Sequence, residues 1–376
     1  MSVVRSSEEV LAAAKSPGVC IPRTALPLLG PRFLQNFFSR WKLTKASLEQ
    51  SSLWEWGRRE TIFSLGCGLW LSIALVELHT SQVPYLQPIY DLSLVPLSTH
   101  VLYPAMLTLA SFVIFCVGFT VLDVIHYDST KLQRDWWPSW HDIWKAAFPQ
   151  LLIYGSLSLG GHLMMPDEKR WQVVPVAAPS LLRFGFELAA CFVVGDFFIY
   201  WEHRIMHRVT FLRNHIHSWH HYYHAPFSWA GGIVHPLEDV VVICCQMFYP
   251  TLTGVHPLSL WVFLFSWTAL LIEEHSGHDV FWAPWNWLPL TSRPLGGGAT
   301  PHDVHHYRVN VNFSFVFCVW DVIFDTYREP QMMEENGVNR FVPDYPSQFR
   351  QWWEFKHSPP EVLERLQRSY ASKKTL

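Results

Sequence analysis

Charge is scarce in this chain. Only 16% of its 376 residues are Asp, Glu, Lys or Arg, while half are hydrophobic. Soluble domains carry about a quarter charged residues, so an ordinary soluble fold is disfavoured. The formal net charge is only −3, which leaves nucleic acid without a basic surface to bind. The seven cysteines contain no CxxC pair, and Cys67, Cys116, Cys191, Cys244 and Cys245 fall in apolar stretches. That pattern excludes a thiolate metal site and assigns these thiols to packing. The first residues lack the apolar run of a cleavable signal peptide. No internal repeat, low-complexity segment, G-x-G-x-x-G turn, flavin motif or HPGG haem-type motif is present. Any redox chemistry therefore has to draw its electrons from elsewhere.

What is there comes in blocks. Apolar stretches at about 61–79, 101–124, 147–165, 181–201, 237–253 and 257–273 approach the roughly 20 residues that cross a bilayer as a helix. Basic residues give them an orientation. Arg32, Arg40, Lys42, Lys45, Arg58 and Arg59 precede the first block, and the 80–99 loop has no Lys or Arg. Lys131, Arg134 and Lys145 follow the second block. Cytoplasmic loops are enriched in Lys and Arg, so the N-terminus is expected in the cytosol and the 80–99 loop in the lumen. Alternation then makes 166–180 lumenal and returns residues from 203 onward to the cytosol. The sequon at Asn312 is accordingly expected to be unmodified.

Trp201–Ala225, "WEHRIMHRVTFLRNHIHSWHHYYHA", packs seven histidines into twenty-five residues. His203 and His207 form H-x3-H, and His217, His220 and His221 form H-x2-HH. A second H-x2-HH follows at His302, His305 and His306, and "HSGH" supplies His275 and His278. Residues three or four apart share one helix face, so each cluster aims several imidazoles at one point. Single histidines at membrane boundaries, such as His79, His100, His126 and His256, read as interfacial hydrogen bonders. The clusters together do not. Thiolate-free imidazole ligation suits iron, zinc or copper. Eight or more nitrogens exceed one ion's needs, because zinc takes about four ligands and iron about six. Two metals follow.

These residues resemble the fatty acid hydroxylase/sterol desaturase superfamily over about 190–328. The resemblance rests on "GDFFIYWEHRIMH", "HSWHHYYHAP", "HPLED", "EEHSGHDVFW", "HDVHHYRVNVNFS" and "WDVIFDTYR". Within that superfamily the chain is most similar to methylsterol monooxygenases, and "GVHPLSL…EEHSGHDV" also resembles the cholesterol 25-hydroxylase branch. The resemblance implies metal ligands at His203, His207, His217, His220, His221, His302, His305 and His306, with His275 as the ninth. It places Asp196 and Tyr200 in the lead-in to the first box, with Asp196 as an acceptor for an imidazole N–H. His224 and His235 join them as groups behind the ligands. His278 departs from the pattern and reads as an interfacial hydrogen bonder or an extra ligand.

The expected architecture is an all-α integral membrane protein of four to six transmembrane helices under a cytosolic, histidine-rich di-metal cap. Residues 1–60 form a cytosolic tail, 61–180 the N-terminal transmembrane region, 181–330 the catalytic region and 331–376 a second cytosolic tail. The resemblance implies a di-iron oxygenase that uses O2 to hydroxylate a sterol or sterol-like lipid, with electrons from NAD(P)H through a reductase and cytochrome b5. Arg204, Arg208, Arg213 and Arg308 are candidates for a surface that receives the donor. Trp201, Trp219, Tyr222, Tyr223, Trp229, Trp282, Trp285 and Trp287 are candidates for shaping lipid entry or anchoring at the interface. The terminal "KKTL" resembles the dilysine signal of endoplasmic-reticulum membrane proteins. Two other readings stand: a desaturase of the same superfamily, and a non-catalytic zinc transporter or metal-binding membrane protein. Transporters place ligands near the bilayer midplane, whereas these lie in Arg-bearing cap segments.

Overall fold

The computed structural model describes residues 53–341 apart from 81–82, 94–95, 128–129, 134–136, 165, 168–172, 224, 281–282, 284–295, 329–331 and 336–337. His224, Trp282, Trp285, Trp287, the basic residues Arg32, Arg40, Lys42, Lys45 and Arg134 and the terminal dilysine pair lie outside the described residues. All six apolar blocks are helices: α1 Leu53–Thr80, α3 Tyr103–Val124, α4 Trp140–Met164, α5 Leu181–Arg208, α7 Pro236–Thr253 and α8 Pro257–His275. Shorter helices join them: α2 Gln87–Ser93, α6 Thr210–His215, α9 Ala299–Arg308 and α10 Val319–Ile323. A small antiparallel hairpin, β1 Met332–Glu335 and β2 Val338–Phe341, adds strand to a fold expected to be wholly helical.

Helix ends follow local chemistry. Ser180 caps α5 by accepting the Arg183 N–H. Between α7 and α8 the chain reverses as expected at Thr253–Pro257. Gly254 takes φ +62°, which ends α7 at no steric cost. His256 then accepts the Leu258 N–H and Pro257 opens α8. His256 also reaches Ala177 O through Nε2, so it is a buried tie between segments rather than an interfacial group.

The core forms where α3, α5 and α8 meet the 3₁₀ turn Ser228–Gly232. Phe112, Cys116 and Phe119 sit at i, i+4 and i+7 of α3, one face of the helix. They pack with Cys191 and Ile199 of α5, Phe263, Trp267 and Ile272 of α8, and Trp229. Gly195 lets Trp267 approach, since a Cβ there would lie 3.2 Å from the indole ring.

The exterior is apolar. Leu65, Leu69, Ile114, Val117, Val121, Trp144, Leu152, Val240 and Leu252 are all exposed. Water does not tolerate such continuous apolar surface, whereas hydrocarbon covers it. Among the described residues two helices, α3 and α8, are long and apolar enough to cross a membrane.

Candidate metal centre

Many polar residues among those described are buried. His203 and His207 lie four apart at the end of α5, and His217, His220 and His221 lie on the 3₁₀ turn His217–Tyr222. His275 ends α8, and α9 carries His302, His305 and His306. All nine are buried. The structure brings them into two groups whose ring nitrogens lie within 4.8 Å of one another. His203, His207, His217, His221 and His305 form one; His220, His275, His302 and His306 form the other.

The sorting has a rule. In each H-x2-HH triplet the outer pair, four residues apart, joins one group and the middle histidine joins the other. His217 and His221 face the five-histidine group, and His220 the four. His302 and His306 face the four-histidine group, and His305 the five. On α9 this is helical geometry, because i and i+4 share a face and i+3 is rotated from i+4 by about 100°. In the 3₁₀ turn a kink at His221 (φ −82°, ψ 18°) achieves the same division. Each triplet thus contributes to both groups.

Hydrogen bonds on the far side of the rings decide which nitrogen faces inward. Nδ1 of His203, His275, His305 and His306 lies 2.9, 2.8, 2.7 and 3.1 Å from the carbonyl oxygens of Phe313, Leu271, Val311 and Tyr223. His217 Nδ1 pairs with Glu238. Each of these nitrogens therefore carries the proton, which leaves the Nε2 lone pair turned to the interior. Nε2 atoms crowd there: His305–His221 at 3.0 Å, His302–His275 at 2.8 Å and His306–His302 at 3.0 Å. Nε2 of His203 and of His217 is buried without a hydrogen-bond partner.

Burial also holds the imidazoles neutral. It lowers His203 to about 4. It drives His207, His217, His220, His221, His302, His305 and His306 well below the usual histidine range, with neighbouring imidazoles reinforcing most of them. Neutral imidazole is the ligating form. Leaving a buried polar group unsatisfied costs about 1–3 kcal/mol, and a whole domain is stable by only about 5–15 kcal/mol. Nine crowded lone-pair donors would cost a sum of at least that order unless cations occupy the centre. The donors fit two metal ions, one per group.

Other expected site residues are placed differently. Asp196 accepts the Val316 and Phe317 N–H groups at 2.6 and 3.1 Å, so it clamps the loop before α10 and touches no imidazole. Tyr200 bonds through its hydroxyl to Thr326 and Arg204. Arg204 is buried by that contact and leaves the expected basic surface; Arg208 stays exposed. His235 caps α7 by accepting the Leu237 N–H and stacks edge-on with Trp219. His278 belongs to neither group, and it is fully buried rather than interfacial. Trp219 and Tyr222 are exposed, whereas Tyr223 and Trp229 are core residues.

The carboxylates behind the rings are Glu238 and Glu274. Glu274 Oε1 lies 3.5 Å from His302 Nδ1 and 3.7 Å from His275 Nδ1, while Glu238 serves His217. Asp321 acts one step further out. It accepts the Phe313 and Ser314 N–H groups at 2.8 Å each, and Phe313 is the residue whose carbonyl holds His203. All three lie in the motifs "HPLED", "EEHSGH" and "WDVIFDTYR", but a carboxylate's partner is visible only in three dimensions.

Residues 188–326 match the family described as fatty acid hydroxylase. The chain is 30% identical to a cholesterol 25-hydroxylase-like protein of Danio rerio over 236 residues, 60% of this chain and 90% of that protein. It is 38% identical over 150 residues to a very-long-chain aldehyde decarbonylase of Oryza sativa subsp. indica, covering 38% of this chain and 54% of the relative. It is 34% identical over 165 residues to methylsterol monooxygenase 2-2 of Arabidopsis thaliana, covering 42% of this chain. The chain spans 60% of that last relative's length. No solved structure matches the chain. Proteins of this family are membrane-bound and typically iron-dependent. The near-complete coverage of the Danio rerio relative, and the match that begins within α5 and runs past both triplets, make this chain a member of the fatty acid hydroxylase family.

Proposed function

We propose that this chain is a membrane-bound non-haem di-iron oxygenase that hydroxylates a sterol or sterol-like lipid, at a methyl C–H bond. The observation that carries the reading is the division of nine buried histidines into groups of five and four. In this reading His203, His207, His217, His221 and His305 hold one iron, and His220, His275, His302 and His306 the other. Bound iron would supply O2 activation, which none of the twenty side chains performs alone. The balance is one C–H bond, one O2, two electrons and two protons in, and one C–OH and one water out. The electrons are expected from NAD(P)H through a reductase and cytochrome b5.

The protein's own residues hold and shield the centre. Carbonyls and Glu238 fix the ring orientations before any substrate arrives, so no reorganisation is needed at the moment of reaction. Phe313, fully buried against His203, His207 and His305, excludes water from the five-histidine group. The exposed apolar helices suit a substrate that arrives through hydrocarbon, with four to six crossings and both termini cytosolic. In an endoplasmic-reticulum membrane, that topology would place the centre where soluble reductase domains reach it.

Expression in a strain lacking 4-methylsterol oxidation, followed by lipid extraction and mass spectrometry, tests the reading. The expected product has gained one oxygen atom. A product that has instead lost two hydrogens identifies a desaturase, and no lipid change in iron-replete cells overturns the oxygenase reading.

A further inference from the structure

Thr130–Gln133 follows α3 and lies outside the region that matches the family. Its main chain pairs with the turn after α8. Leu132 N donates to Gly277 O at 3.0 Å, and Asp279 N donates to Thr130 O at 2.8 Å. Side chains reinforce the seam. Lys131 Nζ donates to Asp123 Oδ1 at 2.7 Å, and His278 Nε2 lies 3.1 Å from the same oxygen. Thr130 Oγ1 lies 2.9 Å from His278 Nδ1. Gly277, at φ +69°, has no room for a side chain, since a Cβ would lie 2.7 Å from Pro226 O. At the other end Gln133 Nε2 donates to both carboxylate oxygens of Asp303, at 2.9 and 3.0 Å.

The two elements so joined carry three members of the four-histidine group, His275 on α8 and His302 and His306 on α9. His275 is the last residue of α8, two positions before the pinned Gly277, and Asp303 is next to His302 on α9. A helix terminus frays unless something outside the helix holds it. The buried Lys131–Asp123 pair is a costly way to gain stability, because apolar residues of like volume often serve as well. Its geometry does something apolar packing does not: it fixes the register of one segment against another. We propose that Thr130–Gln133 is a strap that sets the position of His275 relative to His302 and His306, with Lys131 and Gln133 as its positioning residues. The inference rests on the reading that the four-histidine group holds an iron.

Iron release from the full-length, iron-loaded protein in detergent, followed by absorbance with a ferrous chelator, tests it. Wild type should release two ions per chain. In Gln133→Ala and Lys131→Met one of the two should leave about 10-fold faster, the scale of losing a partner behind a ligand, and Lys131→Arg should restore the slow rate. In a His302→Ala background, which keeps only the five-histidine ion, Gln133→Ala should change nothing. Tyr154→Phe removes a hydrogen bond to Asp239 on α7 and controls for general loosening. Wild-type rates for both ions in the strap variants overturn the strap. Equal acceleration of both ions also overturns it, because the segment would then support the fold without discriminating between groups. A wild-type chain that holds fewer than two ions overturns the two-iron reading itself, and the strap with it.

Discussion

Helices α3 and α9 invert the usual relation between sequence and burial. α3 is almost wholly apolar, yet Ile114 is 60% exposed and Val121 53% exposed. α9 is polar, "ATPHDVHHYR", yet nine of its ten residues are buried. In water both arrangements are costly, one through exposed hydrocarbon and the other through desolvated imidazole. Each becomes favourable when a second medium is supplied: lipid around α3, and metal inside the shell that α9 helps to build. The two media that would satisfy these surfaces are opposite in character, hydrocarbon outside and cations inside.

The largest effect should come from emptying the inside. His305→Ala and His220→Ala each remove one imidazole, from different groups, without touching an exposed apolar face. Both variants are expected to lose oxidation altogether while remaining membrane-inserted. Elemental analysis should give close to two ions per chain for wild type and close to one for either variant. One ion or fewer in metal-replete wild type would remove the contrast's inner half. Full activity in either variant would show that imidazoles behind the centre have been mistaken for ligands.

Breaking the outer half should cost less. Val117 lies on the exposed face of α3. Aspartate near the middle of a spanning helix costs about 2.5–3.5 kcal/mol of insertion free energy, so Val117→Asp should sharply reduce the membrane-integrated fraction measured by carbonate extraction. If α3 faced water, the same change would be neutral or would improve solubility. That outcome would contradict the lipid-facing assignment.

A smaller effect is expected where the two regions meet. Gly231 lies in the turn Ser228–Gly232 and backs the His275 ring: a Cβ would sit 3.0 Å from its Cγ and Nδ1. Gly231→Ala must push the imidazole or the turn by a few tenths of an ångström, at about 1–3 kcal/mol. The protein should still fold, with a lower melting temperature and a several-fold loss of turnover. Unchanged turnover would mean that the ring has slack at this position.

Much of this contrast was legible before the structure. Apolar blocks announced all six long helices, because apolar runs approaching 20 residues have few other uses. Eight of the nine histidines were legible because spacings of three and four are helical spacings; His275 came from the family resemblance. Their division was not drawn, although the signal existed: adjacent histidines on a helix diverge, so His305 and His306 face different centres. Asp196 misled because a carboxylate before a histidine box fits two jobs, holding an imidazole or holding a loop, and sequence separation hides which. The same distance concealed the strap, whose bonds to His278 and Asp303 join residues more than a hundred positions apart.

The last test reads sidedness alone. Asn312 was expected to stay bare because its segment faces the cytosol. The structure supplies a separate reason, since Asn312 is buried and its side chain bonds to the carbonyls of Pro301 and Arg328. A bare Asn312 thus says nothing about which side it occupies. Exposed positions do. Arg208→Asn creates Asn-Val-Thr on an exposed site beside the centre, and Leu92→Asn with Leu94→Ser creates a sequon at an exposed position on α2. With the 80–99 loop lumenal, the second site should gain an endoglycosidase-sensitive mass shift and the first should not. The reverse pattern would put the histidine groups in the lumen, away from NAD(P)H and its reductases, and the proposed electron supply would fail with the topology.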